Sequence, residues 1–146
     1  MATTIEWLRA YIETSMREVL ESEEVCIDQD GDVMFRSGTA ACWVSIHDID
    51  PTMVVVFAHA ALEVKPSAAL LREVNELNQR ALSGTVTVVS GTIMVRQSML
   101  ATAVGVDSLD QACRQVGSIA NDIGHLAAVM FDGKTPYAPE PVEHES

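Results

Sequence analysis

Three aspartates alternate within one short segment, and this spacing is typical of the start of a calcium-binding loop: Asp28, Asp30 and Asp32. They match positions 1, 3 and 5 of an EF-hand loop. Position 6 of such a loop needs glycine but holds Val33, and position 12 needs a bidentate glutamate but holds Thr39. The pair Asp30-Gly31 is a strong signal for a two-residue hairpin turn. We therefore interpret the segment as a hairpin tip and predict no metal site.

Other side chains that could do acid–base chemistry are dispersed. Asp48 and Asp50 would share one face of an extended chain, but they precede Pro51 and are interpreted as solvated turn carboxylates. No two histidines have the spacing of a helical zinc site. His59 lies in an apolar segment and His125 lies near an apolar helix stripe, so both are interpreted as packed or rim histidines.

The cysteines and the known catalytic motifs give no further chemistry. Each cysteine lies in an apolar pattern, so we expect buried thiols in a reducing compartment: Cys26, Cys42 and Cys113. No glycine-rich phosphate loop, Gly-x-Ser-x-Gly elbow or basic and aromatic stripe is present. The chain is therefore predicted to be non-enzymatic, with no catalytic residue and no cofactor.

Length and charge restrict the class of protein. The chain has 146 residues, which suits one domain, and its formal net charge is −12. This charge opposes binding to nucleic acid or anionic lipid. The longest apolar run, residues 53–62, is too short to span a bilayer, and Glu6 interrupts any signal-like amino terminus. We expect a cytoplasmic protein.

Periodicity predicts three helices and six strands. Apolar residues recur every three or four positions over residues 3–22, about 67–82 and 108–130, and these are the predicted helices. A capping box at Ser108 and Gln111 marks the start of the last helix. Residues 99–106 could extend a strand or form a loose connection. Strand signals lie at residues 25–27, 33–35, 41–47, 53–62, 85–89 and 92–95.

The strand at residues 53–62 is apolar on both faces, which is typical of a central strand covered on both sides. Three helices can cover one face of a small sheet. The other face would then expose an apolar patch, with Trp43, Val55 and Phe57 in it, which a symmetric dimer or a bound partner segment would cover. We predict a partner-binding surface on four residues: Trp43, Val55, Phe57 and His59.

Two further segments carry predictions. In the central helix, Asn75 and Asn78 are poor helix formers at the edge of the apolar stripe, and they indicate a bond to a neighbouring loop, to water or to a ligand. The residues after Thr135 are rich in proline and acid. We therefore expect one domain over residues 1–133 and a disordered acidic tail over residues 134–146.

The element order resembles that of the YbjN family, small bacterial proteins with the type III secretion chaperone-like fold. The most specific match is GluValLysProSer at residues 63–67, which leads into LeuLeuArgGluValAsnGluLeuAsn at residues 70–78. The resemblance implies an α+β fold with an antiparallel β-sheet flanked by three helices, in the order α-β-β-β-β-α-β-β-α. It also implies a dimeric protein that binds a protein or peptide segment. Members are also labelled sensory transduction regulators.

We therefore expect a cytoplasmic homodimer that binds an extended or amphipathic client segment, and not nucleic acid or membrane. An alternative is a small-molecule-binding regulator or an undetected enzyme, with a pocket near Asn75, Asn78 and Arg96 between the central helix and the sheet. A third hypothesis is a scaffold subunit of a larger complex.

Overall fold

The computed structural model describes residues 5–81 and 83–139. Its elements follow the predicted order and confirm the α+β class. None of the helices in these residues is long and apolar enough to cross a membrane. The elements are α1 (Ile5–Val19), β1 (Cys26–Ile27), β2 (Val33–Ser37), β3 (Ala40–His47), β4 (Met53–Ala61), α2 (Ala68–Arg80), β5 (Thr85–Val89), β6 (Thr92–Leu100), a 3-10 turn (Ala101–Ala103) and α3 (Val106–Met130).

The six strands form one antiparallel sheet in the spatial order β1-β2-β3-β4-β6-β5. β4 lies between β3 and β6, so the most apolar strand of the sequence has a strand on each side. β6 pairs with β4 although β5 precedes it in the chain. This order arises because α2 carries the chain past the place of β6 to the outer edge, where β5 forms before the chain turns back.

The strands are joined by tight turns. The predicted hairpin tip at Asp30-Gly31 is confirmed, since Ile27 pairs with Val33 and Gly31 has a φ of 84°. The hairpin at Ser90-Gly91 is also confirmed. The turn at Gly38-Thr39 was not predicted, and it joins a β2 that continues to Ser37. Its Thr39 backbone N–H donates to the Asn121 side chain of α3 at 3.0 Å.

α3 lies along one face of the sheet and buries it. The β4 side chains that point towards α3 are fully buried, including Val54 and Val56. Gly124 permits this close approach, because a Cβ there would lie 2.4 Å from the carbonyl oxygen of Ala60. α1 packs beside α3, and the Met16 sulfur lies 3.9 Å from the Cys113 sulfur. The core therefore lies between α3, α1 and one face of the sheet.

The start of α3 differs from the prediction. The helix begins at Val106, with Gly105 as its N-cap residue, two residues before the predicted cap at Ser108. The Ser108 hydroxyl instead accepts the backbone N–H of Gly105 at 2.8 Å. The undecided segment is also defined: β6 extends to Leu100 and a 3-10 turn links it to α3.

The prediction of three buried cysteines is wrong for one of them. Cys26 is exposed, because β1 is a two-residue edge strand that no helix covers. Cys42 and Cys113 are buried, and burial raises the pKa of each thiol to about 12. These two thiols stay protonated near neutral pH and pack as small apolar groups.

The chain beyond α3 returns to the sheet, so the predicted tail does not begin at residue 134. The Lys134 and Leu62 backbones bond in both directions at 2.7 and 2.9 Å, and the Tyr137 N–H donates to the Thr39 carbonyl at 3.1 Å. The Arg36 guanidinium lies 4.6 Å from the centre of the Tyr137 ring. Residues 134–139 are therefore bonded to the domain, and residues 140–146 lie outside the described residues.

α2 closes the outer edge of the sheet at β5. The Asn78 side chain accepts the backbone N–H of Val86 and donates to its carbonyl, both at 2.8 Å. Val86 pairs with Val95 of β6 on its other side. The amide thus takes the place that another strand would take, which is one way to protect an exposed edge. The expected partner was a neighbouring loop, water or a ligand, whereas the observed partner of Asn78 is the backbone of β5.

We expect Asn78→Ala to destabilise the fold by about 1–3 kcal/mol more than Asn75→Ala does, because it leaves two backbone groups of β5 without partners. Asn75 is the matched control: it is exposed on the same helix, its side chain forms no hydrogen bond among the described residues, and both changes raise helix propensity alike. Urea unfolding followed by circular dichroism measures the difference. Equal stability of the two variants would contradict a role of Asn78 at the edge.

Candidate functional site

None of the helices in residues 5–81 and 83–139 covers the face of the sheet opposite α3, and we call this the open face. It consists of the side chains that alternate with the buried ones on β3, β4 and β6. The central part of the open face is formed by Trp43, Ser45, Val55, Phe57, His59, Met94 and Arg96.

Three rings form a continuous cluster on the open face. Trp43 and Phe57 lie directly opposite each other on β3 and β4, and their ring centroids are 5.1 Å apart with an interplanar angle of 14°. His59 lies 4.6 Å from Trp43 in a tilted arrangement. All three rings are half-buried, although no helix covers them. The rings thus bury one another laterally and leave their outer surfaces available for contact.

Burial changes the chemistry of His59. Loss of solvent around the imidazole lowers its pKa. The neutral ring is therefore favoured in the folded protein. A neutral imidazole packs against aromatic rings without the cost of removing a charge from water, so the cluster behaves as an apolar surface near neutral pH.

A groove of about 430 Å³ runs from this cluster to the tip of the β1–β2 hairpin. Apolar side chains form its floor and charged groups lie at its ends. The residues that line it are Arg9, Asp30, Asp32, Ser45, Ile46, His47, Val55, Phe57, Met94 and Arg96.

Carboxylates crowd the hairpin end of the groove. One oxygen from each of Asp28, Asp30 and Asp32 lies within 4.8 Å of the others. The Asp28 Oδ1 accepts the backbone N–H groups of Asp30 and Asp32, each at 2.9 Å, which fixes the tip. Burial raises the pKa of Asp32, and the charges of Asp28 and Asp30 raise it further, whereas Arg9 and His47 lower it.

A second groove lies between the start of α1 and the end of β6. It is mainly apolar and has a volume of about 490 Å³. Trp7 and Tyr11 of α1 stack with centroids 5.3 Å apart at its rim, and Leu100 contributes from β6. Its lining also includes the hydroxyl groups of Tyr11, Thr52 and Thr102.

The four residues predicted to bind a partner lie together on the open face, on adjacent strands. Their role in binding stays a prediction. The residues of the alternative pocket do not converge: the Asn78 amide bonds to β5, Asn75 is exposed, and Arg96 lines the open-face groove. Asp48 and Asp50 are exposed in the turn before β4.

The sequence prediction missed Ser45, Met94 and the hairpin carboxylates as neighbours of Phe57. Alternation along β3 and β6 assigns Ser45 and Met94 to a face only once the strand register is known. That register depends on the unpredicted Gly38-Thr39 turn and on the position of β6 beside β4.

The profile of one protein family matches residues 6–139, and the family is described as T3SS (YopN, CesT) and YbjN peptide-binding chaperone 1. The chain belongs to this family. The resemblance to YbjN is thereby confirmed, and the chain is a chaperone-like, peptide-binding module. No curated protein sequence matches the chain.

Solved structures show the same fold at low sequence identity. The ExsC–ExsE complex aligns with a TM-score of 0.64 and 12% identity over 87% of this chain and 97% of that chain. The ExoT–SpcS complex from Pseudomonas aeruginosa aligns with a TM-score of 0.59 and 15% identity over 79% of this chain and 96% of that chain. YbjN from E. coli aligns with a TM-score of 0.55 and 15% identity over 92% of this chain and 97% of that chain.

The lowered pKa of His59 predicts a stability that falls in mild acid. The folded state holds this imidazole neutral and the unfolded state protonates it more readily, so its contribution is present above about pH 6.5 and is lost as the pH falls below that value. We expect the wild type to lose more free energy of unfolding between about pH 7.5 and about pH 5.5 than His59→Gln does. Urea unfolding at both pH values measures this, and an equal loss in the two proteins would refute it.

Proposed function

We propose that the open face binds an extended or amphipathic segment of a client protein without catalysing a reaction. The observation that carries this proposal is the stacked cluster of Trp43, Phe57 and His59 on the uncovered side of the central strands. Aromatic surface of this kind supplies contact area at low cost in side-chain entropy. Family membership supports a peptide as the ligand.

Two of the similar structures are complexes of two proteins, ExsC with ExsE and ExoT with SpcS. They support the proposal that this fold accepts a protein segment. The formal charge of −12 favours a basic client and opposes self-aggregation. The proposed place of action is the cytoplasm.

Edge-strand pairing would add main-chain hydrogen bonds to such a contact. The β5 edge is closed at Val86 by Asn78. At the opposite edge, β1 pairs with Val33 and Met34, and no strand among the described residues lies on the outer side of β2 from Phe35 to Ser37. The client would therefore meet the sheet from the β2 side.

We expect Phe57→Asp to abolish client capture, because it places a charge at the centre of the ring cluster. The measurement is affinity capture with tagged protein from its native cytoplasm, followed by mass spectrometry of whatever co-purifies in stoichiometric amount. Gln115→Asp is the control, since it adds the same charge to an exposed position of α3. Circular dichroism verifies that both variants fold.

A partner recovered with the wild type and with Gln115→Asp, but lost with Phe57→Asp, agrees with the proposal. A partner retained by Phe57→Asp would show that the open face is not its binding site. Recovery of the bait alone in every case would contradict the chaperone function.

The proposed assembly is a homodimer joined through α3, which leaves the open face to the client. Leu126, Val129 and Met130 follow the spacing of three and four that places residues on one stripe of a helix. They are exposed by 59%, 69% and 54%. A stripe of large apolar side chains suits packing against the same helix of a second copy.

We expect Val129→Lys to shift the protein from dimer to monomer at micromolar concentration, because it places a charge in the centre of the proposed contact. Gln111→Lys adds the same charge near the other end of α3 and should leave the dimer intact. Size-exclusion chromatography with light scattering gives the mass. A monomeric wild type, or a dimer that survives Val129→Lys, would refute this interface.

A further inference from the structure

We propose that the hairpin end of the open-face groove binds the guanidinium group of an arginine side chain in the client segment. This inference rests on the proposed function, because it assigns one residue type to the client of the same face. It goes further by locating a site for a charged group: Asp30, Asp32 and Ser45, beside Phe57.

The carboxylates at this end form no salt bridge among the described residues. Within the described part of the chain, salt bridges join only Arg114 to Asp110 and Lys134 to Glu63. Arg9 is close to the tip, but its guanidinium donates to the backbone carbonyl of Asp30 at 3.2 Å. Burial and the charges of Asp28 and Asp30 raise the pKa of Asp32 by more than the charges of Arg9 and His47 lower it, so the nearby cations offset the crowding only in part. A cation from a ligand would relieve the repulsion.

Ser45 gives an independent indication of a ligand at this place. It is only 7% exposed and it lines the groove, yet its hydroxyl oxygen has no hydrogen-bond partner among the described residues. A buried polar group without a partner is unfavourable and uncommon. A donor that enters the groove between this hydroxyl and the Asp32 carboxylate would satisfy both acceptors.

The floor of the groove suits the rest of an arginine side chain. Val55, Phe57 and Met94 form an apolar surface on which the methylene stem can lie. A lysine ammonium is a compact and more strongly hydrated charge and uses this combination less well.

Two other features restrict where the cation binds. Arg96 lies on β6 opposite Phe57, so positive charge is disfavoured at that side of the groove. Calcium takes six to eight oxygen ligands. The Asp28 Oδ1 is already bonded to two backbone N–H groups, which leaves it less available to a metal. Val33 also follows the tip, where a calcium loop has glycine. The arrangement therefore favours an arginine side chain.

The test uses two short synthetic peptides with blocked ends and alternating valine and threonine, one with a central arginine and one with citrulline at that position. Citrulline has the same shape without the charge. Calorimetric titration of the wild type should give at least about tenfold tighter binding of the arginine peptide, and this preference should weaken as salt is added. Amide shifts of the labelled protein should locate the difference at Asp30, Asp32 and Ser45.

Asp32→Asn should reduce the preference for arginine to about twofold or less, because it removes the charge and keeps the shape. Asp122→Asn, an equal change at an exposed position of α3, should preserve it. Ser45→Ala is a second variant that keeps all charges, and it should weaken both peptides several-fold, because the ureido group of citrulline also donates N–H groups.

Equal binding of both peptides to the wild type would overturn the arginine site while leaving the proposed function intact. An arginine preference that persists in Asp32→Asn, or unchanged binding of the arginine peptide to Ser45→Ala, would also overturn it. If neither peptide binds, the proposed function fails on this face, and the arginine site fails with it.

Discussion

The contact between α3 and β4 is the packing interaction on which the rest of the molecule depends. Side chains alternate along a strand, so burial of Val54 and Val56 under α3 assigns Val55 and Phe57 to the other face. Gly124 fixes the distance of this contact by bringing the helix against the Ala60 carbonyl. A strand apolar on both faces thus serves the core with one face and the open face with the other.

The sequence was sufficient for the element order because periodicity and turn chemistry are local. It also placed Val55, Phe57 and His59 on one surface, since residues two apart on a strand share a face, whereas Trp43 joins them through the pairing of β3 with β4. Long-range pairing is different: nothing local to residues 92–95 indicates that β6 lies beside β4. Cys26 shows the same limit, because its neighbours are apolar but the short edge strand leaves it exposed.

The open face combines two kinds of surface that are usually separate. Its ring cluster is apolar and keeps His59 neutral, whereas the hairpin end concentrates carboxylates. Apolar contact alone accepts many sequences, and a fixed charge at one end gives a bound segment a direction and a register. The acidic composition adds long-range repulsion between copies, which limits association through the ring cluster.

The crossover through α2 has a consequence for how the chain is made. A ribosome produces β4 before β6, so in the growing chain the most apolar strand is an edge strand, and its later partner has not yet been synthesised. Pairing between β4 and β6 spans a long stretch of sequence and is slow to form for that reason. α3, which buries one face of β4, is made last of all. During its own synthesis, this chain therefore presents the kind of extended apolar segment that a chaperone binds.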